Sequence, residues 1–137
     1  FRKFGWTFGM AFQMINDILD YTASEHNLGK PVFQDLADGK VTLPALLLME
    51  SGAAQELSPV LANRTPTPAE RAALTELLVQ HDIIARSLRE AEQYLSDAKE
   101  CLNSIPDVAT LPAHASLSAL CDYILQQEGL PQPTLAR

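Results

Sequence analysis

The sequence has only two cysteines, few positive charges and no long apolar run. Cys101 and Cys121 are far apart, with no Cys-x-x-Cys pair and no histidine at ligand spacing, which indicates small buried residues of a reduced, cytoplasmic protein. The 10 Lys and Arg against 17 Asp and Glu give a net charge of -7, which disfavours nucleic acid and anionic lipid as partners. The longest apolar run, at 45–49, is far shorter than the ~20 residues of a membrane span, so we expect no integral membrane segment.

Strand patterns are also nearly absent, because apolar residues recur at intervals of three and four rather than two. This predicts an all-α fold of about five to six helices. A chain of 137 residues with 47% hydrophobic residues suits one compact domain, so we interpret residues 1–137 as a single all-α domain with a loose tail at 130–137. Because the chain begins at Phe1, with neither Met nor a signal-like segment, we expect a fragment of a longer protein.

Start and stop signals define the helices that we expect. The predicted helices cover residues 2–23, 42–52 with Thr42 as cap and Pro44 in the first turn, 67–81 with a capping box of Thr67 and Glu70, 82–104, and 113–129. An apolar stripe supports the fourth of these, and it consists of Ile84, Leu88, Ala91, Leu95, Ala98 and Leu102. A further short helix at 53–62 is weakened by Pro59. Residues 24–40 are predicted to be a loop, and a loop of that length is usually functional or disordered.

Four polar residues interrupt the otherwise apolar first helix at helical spacing. They are Gln13, Asn16, Asp17 and Asp20. At about 100° per residue they fall on one face, and two interpretations are open: an ordinary solvent-facing side, or a buried ribbon that needs a cation, since ionised carboxylates are costly to bury alone. Gly5 and Gly9, one turn apart, favour burial, because a helical glycine costs up to about 1 kcal/mol relative to Ala unless a neighbour packs closely.

The following loop adds two lysines, Lys30 and Lys40, each directly after a glycine, with Asp35 between them. Carboxylates supply the hard oxygen ligands that Mg²⁺ prefers, and ammonium groups neutralise the remaining oxygens of a diphosphate. The combination therefore suggests a Mg²⁺-diphosphate site, with ordinary solvated loop charges as the alternative.

The segment "GMAFQMINDILDYTASEHNLGKPVFQDLADGKVTLP", from Gly9 to Pro44, resembles the C-terminal signature of the trans-isoprenyl (polyprenyl) diphosphate synthases. The family pattern is F-Q-x-x-D-D-x-x-D, then G-K, then D, then G-K-x-T-L-P. The later helices resemble the family in a weaker, compositional way. The resemblance implies the isoprenoid synthase fold, Mg²⁺ as cofactor, and isopentenyl diphosphate and an allylic prenyl diphosphate as substrates.

Residue by residue, the resemblance implies a metal site of Asn16, Asp17 and Asp20, with the two aspartates at the second and third positions of the aspartate motif. It implies substrate binding by Gln13, Lys30 and Lys40, and a catalytic set of Asp17 with the same two lysines. Asp35 matches an acidic position in the intervening loop.

The chain departs from the family in two respects. Asn16 stands where the family has the first aspartate of this motif, which removes one negative charge from the site. The family's first aspartate-rich motif, and the arginines that follow it, do not occur in this sequence. We therefore expect the C-terminal part of a prenyltransferase whose active site is completed by N-terminal helices of the same protein, and which is inactive alone.

Two other interpretations are open. One is a non-catalytic subunit or degenerate paralogue that binds a partner, and the other, weaker because "GKVTLP" favours chain elongation, is a terpene cyclase. Without upstream helices the first helix should expose apolar surface, which predicts a homo-oligomer.

Overall fold

The computed structural model of this chain describes residues 1–22, 33–53, 55, 66–107 and 111–131, and these form helices and turns. The helices are α1 (Arg2–Thr22), α2 (Gln34–Ala37), α3 (Leu43–Leu48), α4 (Pro68–Gln80), α5 (Ile83–Asn103) and α6 (Ala113–Tyr123). A π-helical turn, Met49–Ala53, follows α3, and a 3₁₀ turn, Ile124–Gln126, follows α6. No strand occurs within the described residues, so the all-α prediction is confirmed. In this part of the chain no helix has both the length and the hydropathy that a membrane crossing requires.

Helices α1 and α5 are the longest, at 21 residues each, and they pack against each other at the centre of the fold. The predicted stripe of α5 lies in this contact, with Ala91 and Leu102 fully buried and Ile84 and Leu88 partly buried. Burying one such large aliphatic side chain contributes about 1.5–3 kcal/mol. The α1–α5 contact therefore fixes the position of α1, which carries most of the predicted site.

A second apolar cluster lies where the chain leaves α1. It consists of Phe33, Leu36, Ala45, Leu48, Ala53, Leu74, Leu78 and Ile83, and Tyr21 packs against it. Since these residues come from α2 to α5, the cluster holds the segment after α1 against the body of the fold.

Two helix starts test the predicted caps. The hydroxyl of Thr67 accepts a hydrogen bond from the Glu70 amide at 3.2 Å, and Glu70 accepts one from the Thr67 amide at 2.7 Å, which confirms the capping box of α4. Thr42 occupies the N-cap position of α3, as predicted, but its side chain makes no capping hydrogen bond. The Thr42 hydroxyl instead lies 3.2 Å from the hydroxyl of Tyr21.

The segment predicted as a loop at 24–40 contains the short helix α2, so the loop prediction is wrong for residues 34–37. The last helix ends earlier than predicted, because its final turn tightens to 3₁₀ at Ile124–Gln126, while Gly129 has the positive φ typical of a chain reversal. Residues 23–32, 54, 56–65, 108–110 and 132–137, with nearly all of the predicted helix at 53–62, lie outside the described residues.

One side of α1 is not covered by the residues that the structure describes. We call it the open face, and it consists of Phe1, Gly5, Trp6, Gly9 and Phe12, all of them exposed. A methyl group placed on Gly5 or Gly9 would meet nothing within 4 Å. The prediction of a closely packed neighbour at these glycines is therefore wrong for the described chain, because α1 packs on α5 mainly through its opposite side, with Trp6 in ring contact with Tyr94 at the edge of the open face.

Candidate functional site

The polar residues of α1 become more buried toward the end of the helix. Gln13 is exposed and Asn16 is partly buried, whereas Asp17 is 9% exposed and Asp20 is 0% exposed. The solvent-facing interpretation is therefore wrong for the two aspartates. Both are buried because α2 and α3 pack against this end of α1.

Asp17 is a buried carboxylate held by hydrogen bonds. The side-chain amide of Gln13 donates to Asp17 Oδ1 at 2.8 Å. Burial raises the pKa of Asp17 above its usual range, hydrogen bonds from Gln13 and from the backbone amide of Leu43 act in the opposite direction, and the nearby carboxylates of Asp35 and Asp20 raise it further. A cation beside Asp17 would reverse this balance, since opposite charge favours the ionised form.

Asp20 lies about one turn after Asp17 on α1 and contacts the segment that follows this helix. Its Oδ2 accepts a hydrogen bond from the Asp35 amide at 3.0 Å, and its backbone carbonyl accepts one from the Phe33 amide at 2.9 Å. Asp20 is therefore joined to the start of α2 through both its side chain and its backbone.

Of the two lysines predicted for the site, Lys40 lies within the described residues. Its Nζ lies 2.8 Å from Asp35 Oδ1 and 3.8 Å from Asp38 Oδ2, and the hydrogen bond to Asp35 raises the pKa of Lys40. Its side chain is 60% exposed. The ammonium group therefore stays charged at neutral pH and can reach an anion in solution while Asp35 orients it.

Tyr21 and Phe33, to which the sequence assigns no function, pack together where the chain leaves α1. The Tyr21 ring packs edge-on against Phe33, with centroids 5.4 Å apart, and burial raises the pKa of the Tyr21 hydroxyl to about 12. Phe33 has a left-handed backbone, with φ of 61°, and is 2% exposed. The sequence gives no signal for the left-handed backbone at Phe33, because phenylalanine is not a residue typical of this conformation.

The structure brings Asp17, Asp20, Asp35 and Lys40 to one end of α1, with Gln13 bonded to the first of them. Lys30 lies outside the described residues, so its place in the site stays a prediction. Within the described ranges no three His, Cys, Asp or Glu side chains converge into a group that could hold a metal alone. Mg²⁺ is usually bound by one or two carboxylates together with waters and substrate phosphates, so oxygen donors from Asn16 and Asp17 suit that mode of binding.

The all-α fold, with acidic residues at the end of its central helix, has a match among solved structures. The structure matches that of a polyprenyl synthase from Caulobacter crescentus, solved in complex with calcium and isoprenyl diphosphate, with a TM-score of 0.76, 29% identity, and coverage of 92% of this chain and 38% of that one. The fold is therefore the isoprenoid synthase fold, as the sequence resemblance implied.

Sequence comparisons define the family. The family model for polyprenyl synthetase matches residues 1–78. Component 2 of heptaprenyl diphosphate synthase from Bacillus subtilis is 37% identical over 121 residues, which cover 88% of this chain and 34% of that protein. Subunit 1 of decaprenyl-diphosphate synthase from Schizosaccharomyces pombe is 32% identical over 126 residues, which cover 92% of this chain and 32% of that protein. The chain belongs to the polyprenyl synthetase family, and it spans about a third of the length of these relatives.

Proposed function

We propose that this chain is the C-terminal part of a polyprenyl diphosphate synthase that condenses an allylic prenyl diphosphate with isopentenyl diphosphate in the presence of Mg²⁺. The relatives that it resembles are named as prenyl diphosphate synthases, and the family signature runs unbroken from Gly9 to Pro44 except at Asn16. The active site would be completed by N-terminal helices of the same protein, and the chain alone would be inactive.

The observation that carries the proposal is the convergence of buried carboxylates and an exposed lysine at the end of α1. Asp17 and Asp35 are close enough for the second to raise the pKa of the first, and Lys40 is hydrogen-bonded to Asp35 at 2.8 Å. An isolated group of buried carboxylates is unfavourable, and a metal-bound diphosphate is a ligand that would neutralise it. This charge arrangement suits a polyanionic substrate that arrives with a cation.

Each residue has a role in the proposal. Asn16 and Asp17 would supply oxygen ligands to Mg²⁺. Asp20 would be a buried member of the same site. Bound Mg²⁺ would neutralise charge on the departing diphosphate of the allylic substrate. Lys40, oriented by Asp35, would bind diphosphate oxygens and stabilise the charge that develops on them.

Two further residues complete the assignment. Gln13 would hold Asp17 Oδ1 and so fix the orientation of the other carboxylate oxygen. Lys30 would bind diphosphate alongside Lys40. The proposed catalytic set is therefore Asp17 with the two lysines.

Asn16 favours a second candidate function, a non-catalytic subunit or degenerate paralogue that binds a partner chain. An amide in place of a carboxylate weakens a Mg²⁺ site by one charge, and relatives of this chain are named as component 2 and subunit 1 of their enzymes. The coding sequence upstream of Phe1 discriminates the two functions: an intact first aspartate-rich motif supports the enzyme, and a degraded one supports the subunit.

Two further features belong to the proposal. The open face of α1 carries Trp6 and Phe12, which are 63% and 43% exposed, and apolar surface of this kind favours assembly into a homo-oligomer or against the N-terminal helices. A cytoplasmic location agrees with Cys101 and Cys121, both of which are free thiols.

The proposal is tested by incubating the full-length protein that carries this chain with Mg²⁺, isopentenyl diphosphate and an allylic diphosphate. We expect chain elongation by the full-length protein, none by this chain alone, and none after Asp17→Ala. Turnover by the isolated chain, or undiminished turnover by the Asp17→Ala variant, would contradict the proposed roles.

A further inference from the structure

Asp20 differs from Asp17 in what its carboxylate does. Asp20 is 0% exposed, and its Oδ2 accepts the Asp35 amide at 3.0 Å. Asp35 is the second residue of α2, so its amide is one of the donors that a helix leaves without a partner inside its own first turn.

The residue that should cap α2 cannot do so. Phe33 occupies the N-cap position, has no side-chain acceptor, and makes no side-chain capping bond. The first turn of α2 is therefore capped from outside by Asp20, a residue 15 positions earlier in the chain. The Asp20 carbonyl accepts a bond from the Phe33 amide at 2.9 Å, so two backbone amides of this segment bond to one residue.

The anchored segment carries two residues of the proposed site. Asp35 is bonded to Lys40 through its side chain at 2.8 Å and through its carbonyl, which accepts the Lys40 amide at 2.9 Å. A shift of Asp35 therefore moves Lys40 with it, and changes the distance of both from Asp17.

We propose that Asp20 is a positioning residue: it caps α2 and thereby holds Asp35 and Lys40 at the diphosphate end of the site, rather than binding Mg²⁺ itself. This inference deepens the proposed function and rests on it for its catalytic consequence. What the cap requires is a hydrogen-bond acceptor at the position of Oδ2, and an asparagine oxygen can provide one, whereas replacing a carboxylate ligand by an amide removes one negative charge and weakens Mg²⁺ binding.

The experiment compares Asp20→Asn, Asp20→Ala and Asp17→Asn in the full-length protein. Asp20→Ala should lower turnover and raise the KM for the diphosphate substrate by a combined factor of about 10 to 100, the range found when a residue that orients a site is removed. Asp20→Asn should recover most of that loss. The Mg²⁺ concentration for half-maximal activity should rise clearly only in Asp17→Asn.

Backbone amide exchange gives a readout that is independent of catalysis. In Asp20→Ala the Asp35 amide loses its acceptor and should exchange faster than in the wild type, and in Asp20→Asn it should stay protected. Asp38→Ala is the matched control, because it removes a carboxylate from the same segment and leaves both bonds to Asp20 in place, so protection of the Asp35 amide should persist.

Two results would overturn the positioning role: a rise in the Mg²⁺ requirement of Asp20→Asn as large as that of Asp17→Asn, or unchanged amide exchange in Asp20→Ala. If the wild-type protein shows no prenyl transfer, the proposed function fails, and the exchange rates alone decide whether Asp20 anchors the segment.

Discussion

Replacing Asp17 by asparagine should stabilise the metal-free protein and remove its response to Mg²⁺. Burial raises the pKa of Asp17 above the model-peptide value of 3.8, so the folded state binds a proton more tightly than the unfolded state. The contribution of Asp17 to stability is therefore fully present below pH 3.8 and is lost as the pH rises from there through the raised native pKa. Asparagine carries no charge, so the variant should not lose this stability.

The magnitude follows from the size of the chain. With an unfolding entropy of about 0.3 kcal/mol/K for 137 residues, each ~1 kcal/mol by which Asp17→Asn raises the free energy of unfolding corresponds to a rise in Tm of roughly 3–4 °C. The gain should shrink toward zero as the pH is lowered below 3.8. Thermal unfolding followed by circular dichroism between pH 3 and 8 measures both quantities.

Ligand addition should reverse the order of the two proteins. In the full-length protein, Mg²⁺ with inorganic diphosphate at 100 times its Kd would stabilise the wild type by about 2.7 kcal/mol, and Asp17→Asn by much less. A lower metal-free Tm for the variant would refute the burial argument, and an equal response to Mg²⁺ would refute the ligand role.

A matched control separates burial from hydrogen bonding. On α5, Gln93 donates to Asp97 Oδ1 at 2.8 Å, the same spacing and length as the Gln13–Asp17 bond, but on an exposed surface. Asp97→Asn should change the free energy of unfolding by less than about 0.5 kcal/mol.

Two further predictions concern the packing of α1. Leu102→Ala should lower the free energy of unfolding by about 2–5 kcal/mol in urea titration, because Leu102 is 0% exposed in the α1–α5 contact; a change under 1 kcal/mol would show that this contact is not the core. Gly9→Ala should stabilise this chain by up to about 1 kcal/mol, because an added methyl meets nothing within 4 Å. A loss of stability or activity from Gly9→Ala in the full-length protein would show that another helix packs on the open face.

The elements that the sequence predicted well are those with local signals. The start of α4 has Thr67, Pro68 and Glu70 within four residues, and α5 has an apolar stripe over its whole length, so each is specified by its own residues. Helix α2 was missed because its cap comes from Asp20 on another helix and its N-cap residue, Phe33, has a left-handed backbone. Both features depend on tertiary contacts that local patterns do not report.

The sequence predicted the residue types of the candidate site, but only part of their arrangement in space. Burial of the two aspartates at 17 and 20 was one of two interpretations of the pattern, and the structure confirms it. The sequence pattern did not distinguish the two aspartates. In the structure Asp17 is 9% exposed and bonds to Gln13, whereas Asp20 is 0% exposed and bonds to the start of α2. At Gly5 and Gly9 the pattern indicated a packed neighbour, and the described chain supplies none.

The contact between Asp20 and Asp35 also affects the order in which parts of the chain can come together. The two residues are 15 positions apart, whereas the Trp6–Tyr94 ring contact between α1 and α5 spans 88 positions, from residue 6 to residue 94. The entropy of loop closure favours the shorter connection by about 1.6 kcal/mol. Closing the contact between Asp20 and Asp35 therefore costs less entropy than bringing Trp6 to Tyr94, so the end of α1 and the start of α2 can come together before α5 packs on α1.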